Sequence, residues 1–333
     1  MKKRFTLILC SVFLYCGSQA QDIHLSQYYN SDQLLNPAKV GDFEGDYRIT
    51  GNYRNQWREI SKPISTYIAS FDKAFHYYSH QIDGGILVAR DEFSGFQSVT
   101  TKVLISAGYA YEYKKNNFRI GIQPGFVFKQ TNLSKQTFPE QWNFGTGNFD
   151  QSSQETSLNS SLKYFDLNIG TQWSRKFDKI EPKIGFALNH INRPKDSYFD
   201  KVTEHLRARK VFHTEVNYKL SDKVMLQPKL LFMWTAKAND MVLGMNVRHA
   251  TTNKDLTSVY WGAHYRHGVK RILDAVIPTV GCRYNKFDLG LSYDINVSTL
   301  SKNLARKSTF EVSIIYIAAS SKSRYITLPC DRY

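Results

Sequence analysis

Phe118-Arg119-Ile120-Gly121-Ile122-Gln123-Pro124-Gly125-Phe126-Val127-Phe128-Lys129 is the stretch that decides the fold. Its even positions are all apolar: Phe118, Ile120, Ile122, Pro124, Phe126 and Phe128. The odd positions are Arg119, Gly121, Gln123, Gly125, Val127 and Lys129. Successive side chains of a strand point to opposite faces, so a period of two means one apolar and one largely polar face. Residues 102–113 keep the same beat with Val103, Ile105, Ala107, Tyr109, Tyr111 and Tyr113 together, and Lys114-Lys115-Asn116-Asn117 turns one stretch into the other as a hairpin.

Fourteen segments read this way: 47–57, 65–72, 83–90, 102–113, 118–129, 164–173, 182–191, 207–219, 224–234, 240–248, 259–266, 275–284, 287–296 and 308–316. Many reach the roughly ten residues of a tilted bilayer crossing, longer than the usual strand of a soluble sheet. Tyr113, Phe128, Trp173, Tyr218, Trp234, Tyr265 and Tyr316 fall near segment ends, where a barrel places its aromatic girdles. No apolar run approaches the ~18 residues that a spanning helix needs. The expected fold is an all-β transmembrane antiparallel β-barrel of about 14 strands, with 12 the count if two weak segments merge or lie in loops. A soluble β-sandwich or propeller is the weaker alternative. Lys210 interrupts the apolar face of 207–219, so that strand either begins outside the membrane or is bulged.

The long polar connections 130–163, 192–206 and 297–307 are the fifth, seventh and thirteenth, and the short turns 114–117, 220–223 and 285–286 are the fourth, eighth and twelfth. That alternation suits outer loops on one side and turns on the other, with both termini periplasmic. The connection near 235–239 is short where the rule wants it long.

Residues 1–20 read as a signal peptide: Lys2, Lys3 and Arg4, then the apolar run 5–15, then Ser18-Gln19-Ala20 as cleavage site. The expected organisation continues with 21–46, either periplasmic or folded into the lumen as a plug, the barrel at 47–317 and a periplasmic tail at 318–333. Removing the signal leaves Cys282 and Cys330, too few thiols for a disulfide framework.

The formal charge is +15, about +12 after the signal is removed. Its basic residues sit singly within strand alternations and not in runs, which argues against nucleic acid and for acidic lipid head groups or acidic protein partners. If the apolar faces meet lipid, then Arg48, Arg54, Lys102, Arg119, Lys129, Lys183, Arg207, Arg209, Lys229, Arg248, Arg266 and Arg283 point inward. Glu112, Asp166, Glu215, Asp240, Asp288, Asp294 and Glu311 join them, and ion-pair networks that stiffen the lumen are expected. His264 and His267 would lie on opposite faces of a strand, so they make no metal pair. There is no Gly-x-Ser-x-Gly elbow, His-Glu-x-x-His or phosphate-cradling loop, and the chain reads as a non-enzyme without a cofactor. The loop 130–163, polar but carrying Phe138, Trp142, Phe144 and Phe149, suits either a cover over the pore or a docking surface.

The opening Gln21-Asp22-Ile23-His24-Leu25-Ser26-Gln27-Tyr28-Tyr29, then Leu35-Asn36-Pro37-Ala38 and Asn52-Tyr53-Arg54-Asn55-Gln56-Trp57, resemble the start of PorP/SprF-type proteins. These are outer-membrane components associated with type IX secretion and gliding in Bacteroidota. Ser70-Phe71-Asp72, Asn189-His190-Ile191-Asn192-Arg193-Pro194, Tyr293-Asp294-Ile295-Asn296-Val297-Ser298-Thr299-Leu300 and the terminal Pro329-Cys330-Asp331-Arg332-Tyr333 agree. The chain departs at Ala208 and Asp331, where the family tends to have proline.

The resemblance implies a non-enzymatic barrel that supports delivery or anchoring of a secreted surface protein such as an adhesin, with periplasmic secretion or motility components as further partners. The alternative is an outer-membrane diffusion channel or a transporter of hydrophobic solutes. Candidate partner contacts are Tyr53, Arg54, Gln56 and Trp57 of the motif, Phe138, Trp142 and Phe144 of the loop, and Cys330 of the tail. Alternation alone places Tyr53 and Trp57 toward lipid and Arg54 and Gln56 toward the lumen.

Overall fold

The computed structural model of the chain describes residues 22–56, 63–77, 80–95, 97–132, 137, 139–152, 160–198, 204–235, 239–268, 271–297 and 308–319. The expected signal peptide and the tail from residue 320 lie outside the described residues, as do Trp57, Phe138 and Cys330.

The strands are β1 (Tyr47–Gln56), β2 (Ile64–Tyr77), β3 (His80–Phe93), β4 (Ser98–Tyr113), β5 (Asn116–Thr131), β6 (Trp142–Asn143), β7 (Asn148–Phe149), β8 (Ser161–Arg175) and β9 (Ile180–Asn189). They continue as β10 (Arg209–Lys219), β11 (Val224–Trp234), β12 (Asn239–Ala250), β13 (Leu256–Gly268), β14 (Arg271–Tyr284), β15 (Phe287–Asn296) and β16 (Ser308–Ile317). All but β6 and β7 close into one antiparallel barrel of 14 strands, sealed where β1 pairs with β16 from Arg48↔Ile317 to Gln56↔Thr309. Each expected segment corresponds to one barrel strand, so the count of 12 is excluded. The weak segments 65–72 and 83–90 belong to strands of 14 residues each, whose ends carry no clean alternation.

The two-residue beat sorts the wall as expected. Phe118, Ile120, Ile122, Phe126 and Phe128 are exposed on the outer surface, while Arg119, Gln123, Val127 and Lys129 are buried inside. Lys210 is the second residue of β10 and pairs in unbroken register with Leu188 and Trp234, so it marks a strand end and not a bulge. The register shifts of this wall fall instead between β13 and β14, near Ser258 and Gly268.

The even-numbered connections are all short, from two residues between Tyr113 and Asn116 to five between Ala250 and Leu256. The long ones, 29 residues between Thr131 and Ser161 and 19 between Asn189 and Arg209, lie at the opposite end, called the upper end below. β1 begins and β16 finishes at the lower, short-turn end, where Asp46 N donates to Ala318 O at 2.9 Å.

The chain ahead of β1 does not stay at that end. It runs up through the lumen as a short 3-10 turn Tyr28–Asn30, one helical turn Asp32–Leu35 and a second 3-10 turn Pro37–Lys39. Asn36 begins the last turn, its side chain accepting from Ala38 N at 2.9 Å with Pro37 already at helical φ. Asp22 reaches Lys102, His190 and Arg209 near the upper end. The two ends of the barrel wall thus share the lower end, while residue 22 lies near the upper one.

Glycines make room for this passage. Gly121 of β5 and Gly170 of β8 are cross-strand partners, and a Cβ on either would fall on Pro37 or on the Asn36 side chain. Gly170→Leu should cost about 1–3 kcal/mol by overpacking, read as a lower unfolding temperature in heat-modifiability gels. Gly84→Ala, with open space around the added Cβ, should leave that temperature unchanged.

Candidate functional site

The feature with functional content is the filled lumen. Three groups of contacts hold residues 22–42 to the wall; those at the two ends use charges on the wall, and the middle one uses neutral polar and apolar groups.

At the upper end, the Glu311 carboxylate of β16 accepts from Ser26 N at 2.7 Å and from Gln27 N at 3.0 Å. Ser26 Oγ donates to Asp294 of β15 at 2.6 Å, and Gln27 Nε2 donates to the Glu311 carbonyl at 3.0 Å. Arg54 of β1 lies among these acids, 3.3 Å from Asp294 and 3.9 Å from Glu311, and Arg266 pairs with Asp294 from β13. The Gln56 carboxamide, turned so that its oxygen faces Arg54, accepts from the same guanidinium. Close by, Asp22 is held by Lys102 at 2.7 Å, His190 at 2.8 Å and Arg209 at 3.3 Å, and His190 is fixed from its other nitrogen by Asp166 at 2.7 Å.

In the middle, Gln33 Nε2 donates to Phe71 O at 3.1 Å, its Oε1 accepts from Ser106 at 2.9 Å, and its carbonyl accepts from Gln123 at 3.0 Å. Asn36 Nδ2 donates to Thr171 O at 3.1 Å and meets His213 at 2.9 Å. Leu25, Tyr28 and Leu35 pack in one apolar cluster with inward-facing Leu87, Leu104, Val211, Leu231 and Val242. These wall residues break the rule that the inner face is polar, and they do so where the segment presents apolar surface.

At the lower end, Arg48 of β1 forks onto Asp72 of β2 at 3.0 and 2.7 Å and also pairs with Asp32, which Lys39 holds as well. Arg119 donates to the carbonyls of Ala38 and Val40 at 3.0 and 2.6 Å and to Asp83 at 2.6 Å. Asp42 takes Gln172 at 2.8 Å and Lys183 at 3.2 Å.

Of the charges expected inside, Arg48, Arg54, Lys102, Arg119, Lys129, Lys183, Arg209, Lys229, Arg248 and Arg266 are paired there with carboxylates. Arg207 is a correction: it is exposed and precedes β10, because the loop before that strand leaves the wall. Glu112 and Arg283 are exposed at the lower rim, where their strands outrun the lumen. Asp22, Asp32, Asp42, Asp72 and Asp83 were missed, since none of the first three sits in an alternating segment. His264 stacks on Tyr29 with centroids 5.2 Å apart and bonds Asn246 at 2.9 Å, a packing role.

The expected partner contacts are not brought together. Tyr53 is half-buried on the outer surface against Tyr67 and Phe310, whereas Arg54 is 3% exposed within the lumen. Trp142 stacks edge-on with Phe149 across the small β6–β7 hairpin, and Phe144 at its tip is 94% exposed.

The lumen holds a polar cavity of about 190 Å³, lined by Tyr29, Asp42, Lys183, Glu215, Lys229 and Arg248 among others. An apolar space of about 20 Å³ beside Leu25, Leu35 and Leu231 has room for about one water.

Glu311→Ala would leave the Ser26 and Gln27 N–H groups without their buried acceptor and Arg54 with only Asp294 as an ion-pair partner among the described residues, at about 3–5 kcal/mol. Limited proteolysis should then cut within residues 22–30 of the mutant barrel and spare the wild type. The upper contacts also carry a pH signature. Burial alone would raise the Asp22 pKa, but Arg209, Lys102 and His190 outweigh it and hold the carboxyl well below its usual range. Burial opposes a charged His190, but Asp22 and Asp166 overcome it and hold the imidazole above its ordinary value. The Asp22 contribution is present above about pH 4 and is lost as pH falls through its depressed pKa. The His190 contribution is full below about pH 6.5 and is lost as pH rises through its raised pKa. Hydrogen exchange of residues 22–27, corrected for intrinsic rates, should be slowest between those limits; a flat profile would contradict the assignment.

Among solved structures, the chain shares its fold with outer-membrane channels. The toluene transporter TbuX of Ralstonia pickettii matches with TM-score 0.52 at 9% identity over 86% of this chain and 92% of that one. The monoaromatic hydrocarbon channel CymD matches with TM-score 0.53 at 11% identity over 86% and 92%. A TodX deltaS2S3 mutant channel gives 0.51 at 10% identity over 86% and 93%. Comparison with curated protein sequences yields no match. The family model described as type IX secretion system membrane protein PorP/SprF aligns with residues 17–316. Together with a closed 14-strand outer-membrane barrel, that alignment over most of its length means that the chain belongs to the PorP/SprF family of type IX secretion system membrane proteins.

Proposed function

We propose that this protein is a plugged, non-conducting barrel that supports delivery or anchoring of a secreted surface protein, such as an adhesin, in type IX secretion. The observation that carries the reading is the occupied lumen: residues 22–42 contact inward groups from β1 around to β16, and the apolar space beside Leu25 and Leu35 is only about 20 Å³. In this reading the upper end, with its long connections, faces outward and meets the secreted partner. The exposed Phe144 and Phe149 and the half-buried Trp142 are the aromatic contacts there. The lower end faces the periplasm and the secretion or motility components, and the family resemblance extends the role to gliding. Tyr53 contributes to the lipid-facing surface, and Arg54 and Gln56 hold the plug.

The alternative, a channel or transporter for hydrophobic solutes, draws on the fold shared with hydrocarbon channels. It requires a path that the plug now fills. In planar bilayers the intact barrel should show no large steady conductance, and in-frame removal of residues 22–46 should produce one. A deletion strain should release or fail to display a type IX substrate while its uptake of hydrophobic solutes stays normal. Normal surface display together with impaired uptake would favour the transporter.

A further inference from the structure

β5 and β8 pair along their whole length, from Asn116↔Arg175 to Gln130↔Ser161. β9 pairs with β8 only from Ser174↔Lys183 up to Ile169↔Leu188. Above Ile169 the far side of β8 has no neighbouring strand among the described residues. The cause is local: His190 follows β9 in the left-handed region, φ +57°, and turns inward to Asp22 and Asp166. Arg193, φ +44°, continues the turn, and Asp196 then reaches lumenal Lys129 at 2.6 Å. Chain that could have extended the wall goes instead toward the lumen mouth.

The exposed edge is partly covered. Ile191 N donates to Leu167 O at 3.0 Å, Asn192 Oδ1 accepts from Leu167 N at 3.2 Å, and Asn192 Nδ2 donates to Phe165 O at 2.7 Å. Odd residues of β8 therefore turn their backbone groups to the open side; Ser160, an even position, bonds Thr131 of β5 at 2.8 Å. The Phe165 N–H and the Lys163 N–H and C=O are left on the open side with no partner among the described residues. Such an edge is a template for another strand.

The charges around it select the strand. Lys163, Arg193, Arg207 and Lys210 are exposed about the notch, with Glu204 as the exposed acid among them. Lys210 stands at its floor, since it pairs with Leu188, which pairs with Ile169. The Lys163 ammonium sits 5.0 and 5.2 Å over the Phe126 and Phe128 rings, at the outer surface.

We propose that the upper edge of β8, from Ser161 to Phe165, is a strand-acceptor site for an extended acidic segment of a protein partner. Alternating N–H and C=O groups call for polypeptide backbone, and the cationic rim favours acidic side chains. Lipopolysaccharide phosphates could answer the charges but not the backbone alternation. The site goes beyond the anchoring role, and its binding test makes no use of secretion, so the two can fail separately.

The test is residue-resolved hydrogen exchange on the full-length barrel in nanodiscs. The probes are a synthetic peptide alternating Val and Glu over about eight residues, its Val-Lys counterpart and purified lipopolysaccharide. The Lys163 and Phe165 amides should exchange freely alone and slow at least about tenfold with the Val-Glu peptide only. Lys163→Pro removes an open-side donor without touching the β5 ladder and should weaken that peptide at least about tenfold; Lys163→Glu, a rim reversal, should do the same if the proline variant does not fold. Slow exchange before any probe, no slowing with Val-Glu, or equal slowing with Val-Lys or lipopolysaccharide would overturn the proposal.

Discussion

The structure depends on one electrostatic constraint: a closed barrel with an ionic inner face must give every buried charge a partner. Arg48, Arg54 and Arg119 are each no more than 5% exposed, and an unpaired guanidinium in that setting would cost several kcal/mol. The wall cannot meet the demand alone. Arg48 divides itself between Asp72 of the wall and Asp32 of the segment, and Lys102 and Arg209 share Asp22. Wall and N-terminal segment are thus complementary halves of one charge arrangement. Such pairs add little net stability over an apolar filling, but they specify a single position, because a slipped segment would strand charges on both sides.

That constraint also explains what the sequence could and could not disclose. The period of two is a local property, so strands such as β5 and β15 are legible from their own residues. The segment has no period, only two 3-10 turns and one helical turn, and its partners lie far away: Ser26 bonds Asp294 and Glu311 across 268 and 285 positions. Nothing in residues 22–46 alone announces those contacts. The inward apolar residues were equally hidden. Leu87, Val211 and Leu231 face the lumen only because Leu25 and Leu35 are there to meet them, so alternation assigned their strands correctly and left their surroundings open.

The residues that carry the family resemblance turn out to be joints of this arrangement. Ser26 and Gln27 of the opening meet Glu311, Asn36 of the Asn-Pro-Ala turn meets β8 and β10, and Arg54 of the Asn52–Gln56 stretch meets Asp294. Asp72 anchors Arg48 and the Gly41 N–H, and His190 anchors Asp22. Motifs scattered over the chain converge in space because most supply one side of a segment-to-wall contact, and Arg54 braces the Asp294 and Glu311 carboxylates that hold Ser26 and Gln27. Tyr53 is the exception within its motif, set outward against Tyr67, where alternation and lipid account for it.

The two ends of the plug are not equivalent. Its lower end is continuous with β1 at Tyr47, while its upper end, from residue 22, makes non-covalent contacts with β4, β10, β15, β16 and the chain around His190. The cavity of about 190 Å³ borders Asp42, Lys183 and Arg248 in the lower half. A force that displaced the segment at its upper end would have to break the contacts of Ser26, Gln27 and Asp22 while the tether at Tyr47 held. The contacts that resist such a pull are charge-assisted and brittle in distance, whereas the apolar contacts of Leu25 and Leu35 yield gradually. The upper carboxylate clusters therefore fix the position of the segment more sharply than the apolar middle does.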